Sequence, residues 1–323
     1  MLAPVFAGLD PAGVAEWDVI PDIHGMGERL EGLLTALGYA ERAGAWRPAE
    51  PDRKAIFLGD FIDRGPDQAR VLDIARRMIG EGVALAVMGN HELNALHYAT
   101  LGPETGAPLR PHSPKNTAQH AAFLEAFAPG SAARRDALGW LRRLPLFLDL
   151  GGFRVAHAAW LDAAIATIRA ESRFGVLEGD LLVRAADLDD PFGAAVEVTA
   201  KGPEADLPAG VSFLDKGGHR RRRSRIAWWD GAARGWREIA ASVPDPAVLP
   251  DTPVPEEVRR LVYPPGSPPV FVGHYWLTGE PAPRSANVFC LDYSAGAGGP
   301  LVSYRQSARG GAGFDLGRLT SFG

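Results

Sequence analysis

The sequence has 323 residues, of which 46% are hydrophobic and 23% are charged, and its formal net charge is −5. A chain of this size can bury its own core, and the acidic balance argues against a nucleic-acid wrapper or a polybasic membrane binder. A single cysteine, Cys290, excludes a disulfide framework and a cysteine-rich metal site.

The first ninety residues alternate between predicted strands and predicted helices. Residues 17–23, 54–58 and 83–88 are short apolar runs that predict buried strands. Between them, apolar residues recur at 30, 33, 34 and 37 and again at 71, 74, 75 and 78, which is the spacing of an amphipathic helix. Strands and helices in this order predict right-handed crossovers and a mainly parallel sheet.

The rest of the chain is less regular. We expect helices over 117–127 and 134–144, followed by a hairpin that turns at Gly151 and Gly152. Residues 161–236 show no clean repeat and predict an inserted cap, and 242–269 is a proline-rich loop. Strand-like runs at 270–272, 288–291 and 301–304 predict a second sheet. We interpret residues 1–323 as one domain.

Polar residues follow each of the first three predicted strands. Asp22 and His24 follow the first strand, Asp60 and Asp63 the second, and the pair Asn90–His91 the third. Ligands of open α/β sheets bind beyond the carboxyl ends of parallel strands, so these side chains are expected to converge.

Two more histidines, His157 and His274, also end strand-like runs. Carboxylate, imidazole and amide ligands without thiolate suit divalent manganese, iron, zinc or nickel. The donor set therefore predicts a site for divalent metal ions.

The motifs GDFIDRG at 59–65 and GNHE at 89–92 resemble those of the calcineurin-like metallophosphoesterase superfamily, in its phosphoprotein-phosphatase branch. That branch includes serine/threonine phosphatases and bacterial diadenosine tetraphosphate hydrolases. The resemblance extends in motif order from about residue 17 to 304, with 161–236 unaligned. It implies an α/β fold, a two-sheet β-sandwich flanked by helices, here with an inserted cap.

The resemblance also implies roles for individual residues. Asp22 and His24 would hold the first ion, and Asp60 would bridge both. The second ion would be completed by Asn90, His157 and His274. The cofactor that the resemblance implies is thus a pair of divalent metal ions, with manganese favoured.

The remaining implied roles concern catalysis. His91 would be the catalytic histidine and general acid, oriented by Asp63, while Arg64 and Asn90 would bind the substrate phosphate. A second phosphate-binding arginine is expected between the last two metal histidines, and Arg225 is the first choice, with Arg184 behind it. The nucleophile would be a hydroxide that bridges the metal ions.

Three positions depart from the pattern of the superfamily. Met88 stands where the phosphatase branch usually has arginine, Ala159 where glycine is usual, and Pro21 where glycine commonly precedes the first aspartate. None of them removes a predicted ligand, but the missing arginine weighs against protein-phosphatase activity.

Several residues are given no catalytic role. His97, His112 and His120 lie outside every motif and are expected in loops or at the surface. The basic run at 219–223 is a solvated loop by default, and a basic lip that attracts a polyphosphate or phosphopeptide is the alternative.

The leading functional hypothesis is a hydrolase of phosphate esters or anhydrides with two metal ions. Its substrate would be a phosphorylated small molecule, a dinucleotide polyphosphate or, in the alternative of a serine/threonine phosphatase, a phosphoprotein. A non-catalytic scaffold of the same fold is the rival from another class. We expect a cytoplasmic protein with no membrane partner, because neither a bilayer-length apolar run nor a signal-peptide pattern is present. No stable nucleic-acid partner is expected, and the oligomeric state is not predicted.

Overall fold

The computed structural model describes residues 2–214, 218–241, 243–311 and 313–323. Ser242, the first residue of the predicted proline-rich loop, lies outside the described residues, as do residues 215–217 of the predicted cap.

Strands are numbered along the chain as β1 Glu16–Ile20, β2 Tyr39–Arg42, β3 Ala45–Pro48, β4 Arg53–Phe57, β5 Ala84–Ala86, β6 Phe147–Asp149, β7 Arg154–Ala156, β8 Glu204–Asp206, β9 Phe213–Leu214, β10 Arg220–Arg221, β11 Arg223–Ile226, β12 Ala240–Ala241, β13 Val270–Val272, β14 Val288–Cys290, β15 Leu301–Ser307 and β16 Leu319–Phe322. The α-helices are α1 Gly27–Ala36, α2 Gln68–Gly80, α3 Asn90–Ala99, α4 Pro114–Gln119, α5 Ala121–Ala126, α6 Ala132–Leu141, α7 Asp162–Glu171, α8 Leu181–Arg184, α9 Pro191–Lys201, α10 Trp236–Ile239 and α11 Glu256–Arg259. Short 3-10 helices occur at Pro4–Phe6, Pro11–Gly13, Pro246–Val248, Ala295–Ala297 and Leu316–Arg318.

The first sheet has five strands in the order β16-β15-β1-β4-β5. The pairs β1–β4 and β4–β5 are parallel, which confirms the prediction from the first ninety residues. The C-terminal strands β15 and β16 extend this sheet in antiparallel fashion from β1. The carboxyl ends of β1, β4 and β5 therefore lie along the same edge.

The second sheet has the order β14-β13-β7-β6 and contains the predicted hairpin as the antiparallel pair β6–β7. Aromatic residues pack between the two sheets: the ring centroids of Phe271 and Tyr304 are 5.3 Å apart, and those of Phe289 and Tyr304 are 5.4 Å apart. The two sheets thus share one apolar core, as the predicted sandwich requires. The predicted strand at 301–304 belongs to the first sheet, however, and not to the second.

Helices flank the sandwich and bury one apolar stripe each. In α1, Leu30, Leu33 and Leu34 are completely buried, and in α2 the stripe contains Val71 and Ala75. The predicted helix over 117–127 is divided into α4 and α5, because the backbone leaves helical geometry at His120.

A second, smaller apolar cluster lies in the later part of the chain. It contains Phe213, Ile226, Trp236 and Ile239, together with residues as far along as Val258. Residues of α7 and α9 belong instead to the main core. The extent of the cap over 161–236 and the single domain stay predictions. None of the helices in the described ranges combines the length and the apolarity that a membrane crossing requires.

Candidate metal centre

The loops that follow β1 and β4 are held against each other by backbone hydrogen bonds. The backbone N–H of His24 donates to the carbonyl oxygen of Asp60 (2.8 Å), and the backbone N–H of Gly25 donates to that of Phe61 (2.8 Å). At the start of α3, the backbone N–H of His91 donates to Oδ1 of Asp60 (2.9 Å). The three strand-end clusters predicted from the sequence therefore meet at one place.

Asp60 lies at the centre of this site. Its Oδ2 is 3.7 Å from Nε2 of His24, 3.4 Å from Nε2 of His157 and 3.9 Å from Nε2 of His91. Two groups of possible ligand atoms share this aspartate. One is His24, Asp60 and His91, and the other is Asp22, Asp60 and His157.

The second sheet contributes the histidines that follow β7 and β13. Oδ1 of Asn90 lies 3.0 Å from Nε2 of His157 and 2.6 Å from Nδ1 of His274. The backbone N–H of His274 donates to Oδ2 of Asp22 (2.9 Å). All six predicted metal ligands are therefore buried and gathered around one point, although the two histidines come from distant parts of the sequence.

Several buried atoms at this point have no hydrogen-bond partner among the residues that the structure describes. They are Oδ1 of Asp22, Nε2 of His24 and Nε2 of His274. Buried polar atoms are normally paired, because an unpaired one loses its solvation without compensation. The donor set of carboxylates, imidazoles and one amide, with these unpaired atoms, fits divalent metal ions.

Hydrogen bonds on the far side of the imidazoles fix their orientation. Nδ1 of His24 donates to the carbonyl oxygen of Ile62 (3.1 Å), and Nδ1 of His157 donates to that of Leu58 (2.8 Å). A neutral ring with its proton on Nδ1 presents an unprotonated Nε2 to the site, which is the form that binds a metal. Burial would lower the pKa of His157, but the carboxylates of Asp60 and Asp22 outweigh it and raise that pKa to about 10, so a metal ion would have to displace the proton on its Nε2.

Burial controls the charge of two of these groups. It lowers the pKa of His24 to about 4, which keeps the ring neutral. Burial, together with the nearby carboxylate of Asp292, raises the pKa of Asp22 well above its ordinary value. A cation at the site would stabilise the ionised carboxylate and so relieve this penalty.

Asp63 is bonded to two histidines. Its Oδ2 accepts from Nδ1 of His91 (2.6 Å), and its Oδ1 accepts from Nδ1 of His120 (2.9 Å). Burial alone would raise the pKa of Asp63, but the hydrogen bonds from His120 and His91 outweigh it and lower that pKa. Burial would also lower the pKa of His91, yet the carboxylates of Asp60 and Asp63 outweigh it and the pKa is raised.

His120 is the first residue whose role sequence reasoning missed. The expectation of a surface position is wrong, since the residue is buried and its ring stacks on Phe123 at 4.8 Å. His97 is also buried, and its Nε2 donates to the carbonyl oxygen of Leu182 (3.0 Å). His112 is exposed, as expected.

Glu92 is the second missed residue. Its completely buried carboxylate accepts hydrogen bonds from the backbone N–H groups of Asp60 (2.8 Å), Phe61 (2.9 Å) and Gly89 (2.9 Å). It therefore joins the loop after β4 to the start of α3. The signal was present in the sequence as the acid at the third position of α3, where a side chain can reach back to the N-terminal backbone of the helix.

The backbone is strained around the site. In the described ranges, eight non-glycine residues have a positive φ, among them the proposed ligands His24, Asp60 and His274. Left-handed backbone is unfavourable for such residues and is typical of functional sites. Gly273 allows a close approach, because a Cβ there would lie 1.8 Å from Oδ1 of Asp22.

Three arginines line the cavity above the ligands, which has a volume of about 280 Å³: Arg64, Arg110 and Arg225. The guanidinium carbon of Arg64 lies 4.1 Å from the ring centroid of Trp276, and Arg225 reaches the cavity from β11. Arg184 forms ion pairs with Glu171 and Asp190 and does not line this cavity.

Comparisons with known proteins agree with this geometry. Residues 18–165 match the family model of the calcineurin-like phosphoesterases, which confirms the resemblance read from the motifs. The chain is similar to the bis(5'-nucleosyl)-tetraphosphatase PrpE (asymmetrical) of Oceanobacillus iheyensis, with 30% identity over 51% of this chain and 64% of the relative. It is also similar to the protein of the same name from Geobacillus thermodenitrificans, with 32% identity over 51% of this chain and 65% of the relative.

The chain thus spans slightly less than two thirds of the length of these curated relatives. Among solved structures, a protein serine/threonine phosphatase from Saccharomyces cerevisiae aligns with 14% identity, a TM-score of 0.49, and coverage of 98% of this chain and 84% of that one. His274 and Arg225 lie outside residues 18–165, so their assignment rests on geometry.

Proposed function

We propose that this chain is a metal-dependent hydrolase of phosphate esters or anhydrides. The premise is that residues 18–165 match the family model of the calcineurin-like phosphoesterases. One observation carries the proposal. Two groups of ligand atoms share Asp60, and one of these groups includes His91, whose other ring nitrogen is paired with the carboxylate of Asp63. A non-catalytic scaffold has no need of that arrangement.

Six residues would hold two divalent ions. Asp22, His24 and Asp60 would hold the first ion. The second ion would be held by Asp60 as well, together with Asn90, His157 and His274. When bound, such ions lower the pKa of water and stabilise charge on phosphate oxygens. Manganese is our first choice for the ion.

His91 is proposed to protonate the leaving oxygen. Its Nδ1 is held by Asp63 at 2.6 Å, so its Nε2 is the atom that can exchange a proton in the cavity. The ring centroids of His91 and His24 are 4.8 Å apart, which places this atom at the edge of the ligand set. General acid catalysis of this kind contributes about 10²–10⁴-fold to a rate.

Arg64 and Arg225 are proposed to bind the phosphate of the substrate. Both line the cavity that contains Asn90 and His91. A guanidinium group can bind two phosphate oxygens at once, which orients the phosphorus as well as neutralising charge.

The first substrate to test is a dinucleoside tetraphosphate. The support is the name of the curated relatives, bis(5'-nucleosyl)-tetraphosphatase. A serine/threonine phosphoprotein is the second candidate, favoured by the GNHE motif at 89–92.

The test compares two variants with matched controls. With manganese, p-nitrophenyl phosphate and diadenosine tetraphosphate are assayed for the wild type, Asp60→Asn and His91→Asn, with the exposed Asp189→Asn and His112→Asn as controls. His91→Asn is expected to lower kcat about 10²–10⁴-fold. Calorimetric titration with Mn²⁺ is expected to give two ions for the wild type and weaker binding for Asp60→Asn. Undiminished turnover in both variants would overturn the proposal.

A further inference from the structure

A second, larger cavity adjoins the metal cavity. It has a volume of about 1160 Å³ and lies between the small sheet of β8, β11 and β12, the loop after β4 and the loop after β13. We call it the arginine groove, because seven arginines line it: Arg64, Arg220, Arg221, Arg222, Arg223, Arg225 and Arg284. Among its described lining residues the one carboxylate is that of Glu204.

Most of this positive charge is not used within the protein. Arg223 is paired with Asp206 at 3.4 Å, and Arg220 donates to the hydroxyl of Ser212 (2.8 Å). In contrast, the guanidinium groups of four others make no hydrogen bond or ion pair within the described parts of the chain: Arg64, Arg222, Arg225 and Arg284. An excess of unpaired cations of this kind favours an anionic ligand.

Aromatic rings support two of these arginines without using their donors. Arg64 lies over Trp276 at 4.1 Å, and Arg284 lies over Trp229 at 5.4 Å. A cation over an aromatic face is stabilised, and this contact leaves the N–H groups in the guanidinium plane free to bind. The rings therefore restrict the side chains while their donors stay available.

The positive lining continues without a break from the metal centre. Arg64, Arg225 and Trp276 line both the metal cavity and the arginine groove. This lining matches a ligand that carries negative charge on every successive group, starting at the phosphate that is cleaved. A linear polyphosphate has that property, whereas in a phosphopeptide neutral backbone separates the phosphate from the next charged side chain.

We propose that the arginine groove binds a chain of further phosphate groups attached to the phosphate at the metal centre, so that the preferred substrates are linear polyphosphates and their esters. This inference rests on the proposed function for the identity of the scissile group. Apart from Arg64, the residues that line the groove fall between 204 and 284, outside the segment that matches the family model.

The test measures binding apart from catalysis. Inorganic tetraphosphate is titrated calorimetrically into the metal-free full-length chain, for the wild type and the double variant Arg222→Ala/Arg284→Ala. The matched control is Arg259→Ala/Arg309→Ala, which removes two exposed arginines away from the groove. We expect Kd to rise roughly tenfold in the groove variant, from the modest contribution of each exposed ion pair, and to stay within twofold in the control. The difference should shrink as the salt concentration rises.

Kinetics with manganese separate the groove from the metal centre. The groove variant should leave kcat/KM for p-nitrophenyl phosphate unchanged and lower it roughly tenfold for tetraphosphate. Equal effects of the groove and control variants on Kd, or no effect of either, would overturn the inference. So would a groove-dependent preference for an acidic phosphopeptide over tetraphosphate. Absence of hydrolysis of every substrate, with groove-dependent binding intact, would overturn the proposed function and leave the groove as a polyphosphate site.

Discussion

The contact between His120 and Asp63 leads to a prediction about catalysis. Substitution His120→Phe keeps a ring to stack on Phe123 but removes the donor 2.9 Å from Oδ1 of Asp63. Because the side chain of Asp63 is 3% exposed, water cannot easily replace that donor. A hydrogen bond to a charged group contributes about 1.5–3 kcal/mol, so the variant should lose roughly this much free energy of unfolding.

The same change should affect the rate. Asp63 orients His91, and a carboxylate that has lost one of two partners holds the remaining histidine less firmly. If about half of the lost energy is expressed in the transition state, kcat falls roughly tenfold, with KM little changed. The hydrogen bond from His120 also lowers the pKa of Asp63, so its loss should raise that pKa. The acidic limb of the pH profile of kcat should therefore move to higher pH.

Two further variants make the measurement decisive. In His120→Asn the side-chain amide can donate from about the position of Nδ1, so most of kcat should return. His112→Phe removes another histidine that stacks on Tyr98 but does not touch Asp63, and it should leave the profile unchanged. If His120→Phe lowers stability while kcat and its pH profile match those of the wild type, the residue is only structural and this reasoning is refuted.

Three other predictions concern parts of the molecule that support the site. Glu92→Gln replaces a carboxylate that accepts three short backbone hydrogen bonds, so we expect a loss of about 2–5 kcal/mol in urea denaturation and at least tenfold weaker Mn²⁺ binding by calorimetry. Gly273→Ala would place a methyl group against Asp22 and should likewise weaken Mn²⁺ binding at least tenfold, while Gly266→Ala, which has open space around it, should not. Burial lowers the pKa of His97 from about 6.5 to about 4. As the pH falls through this range, His97 is therefore protonated in the unfolded chain before it is protonated in the folded chain. The free energy of unfolding of the wild type, measured relative to that of His97→Gln, should then decrease by about 3 kcal/mol between pH 7 and pH 4. A difference that stays constant with pH would contradict a lowered pKa of His97.

The meeting of the six proposed metal ligands was predictable because topology alone brings them together. Asp22, Asp60 and Asn90 each follow a parallel strand, and the carboxyl ends of such strands share one edge of the sheet. His157 and His274 follow β7 and β13, which are parallel to each other in the second sheet. A local apolar pattern was sufficient to place each strand, and the position of the polar residue after it was then fixed.

The residues that sequence reasoning missed act through contacts that no local pattern encodes. His120 lies 57 positions from Asp63 and sits where a predicted continuous helix is divided, so its role depends on where α4 ends. The strand at 301–304 was assigned to the wrong sheet for the same reason, since its partner β1 lies at the other end of the chain. Periodicity gives the type of an element but not its long-range neighbour.

The strained backbone explains why the supporting residues are as necessary as the ligands. His24, Asp60 and His274 all have positive φ, a conformation that costs each of them free energy in an unsupported chain. Glu92 restrains the backbone of Asp60, and Asp292 accepts a hydrogen bond from the backbone N–H of Trp276, two residues beyond His274. Loss of either carboxylate should let the loop relax toward ordinary φ values and withdraw its ligand from the centre. We therefore expect the affinity for metal to depend on these hydrogen bonds as much as on the six side chains that would touch the ions.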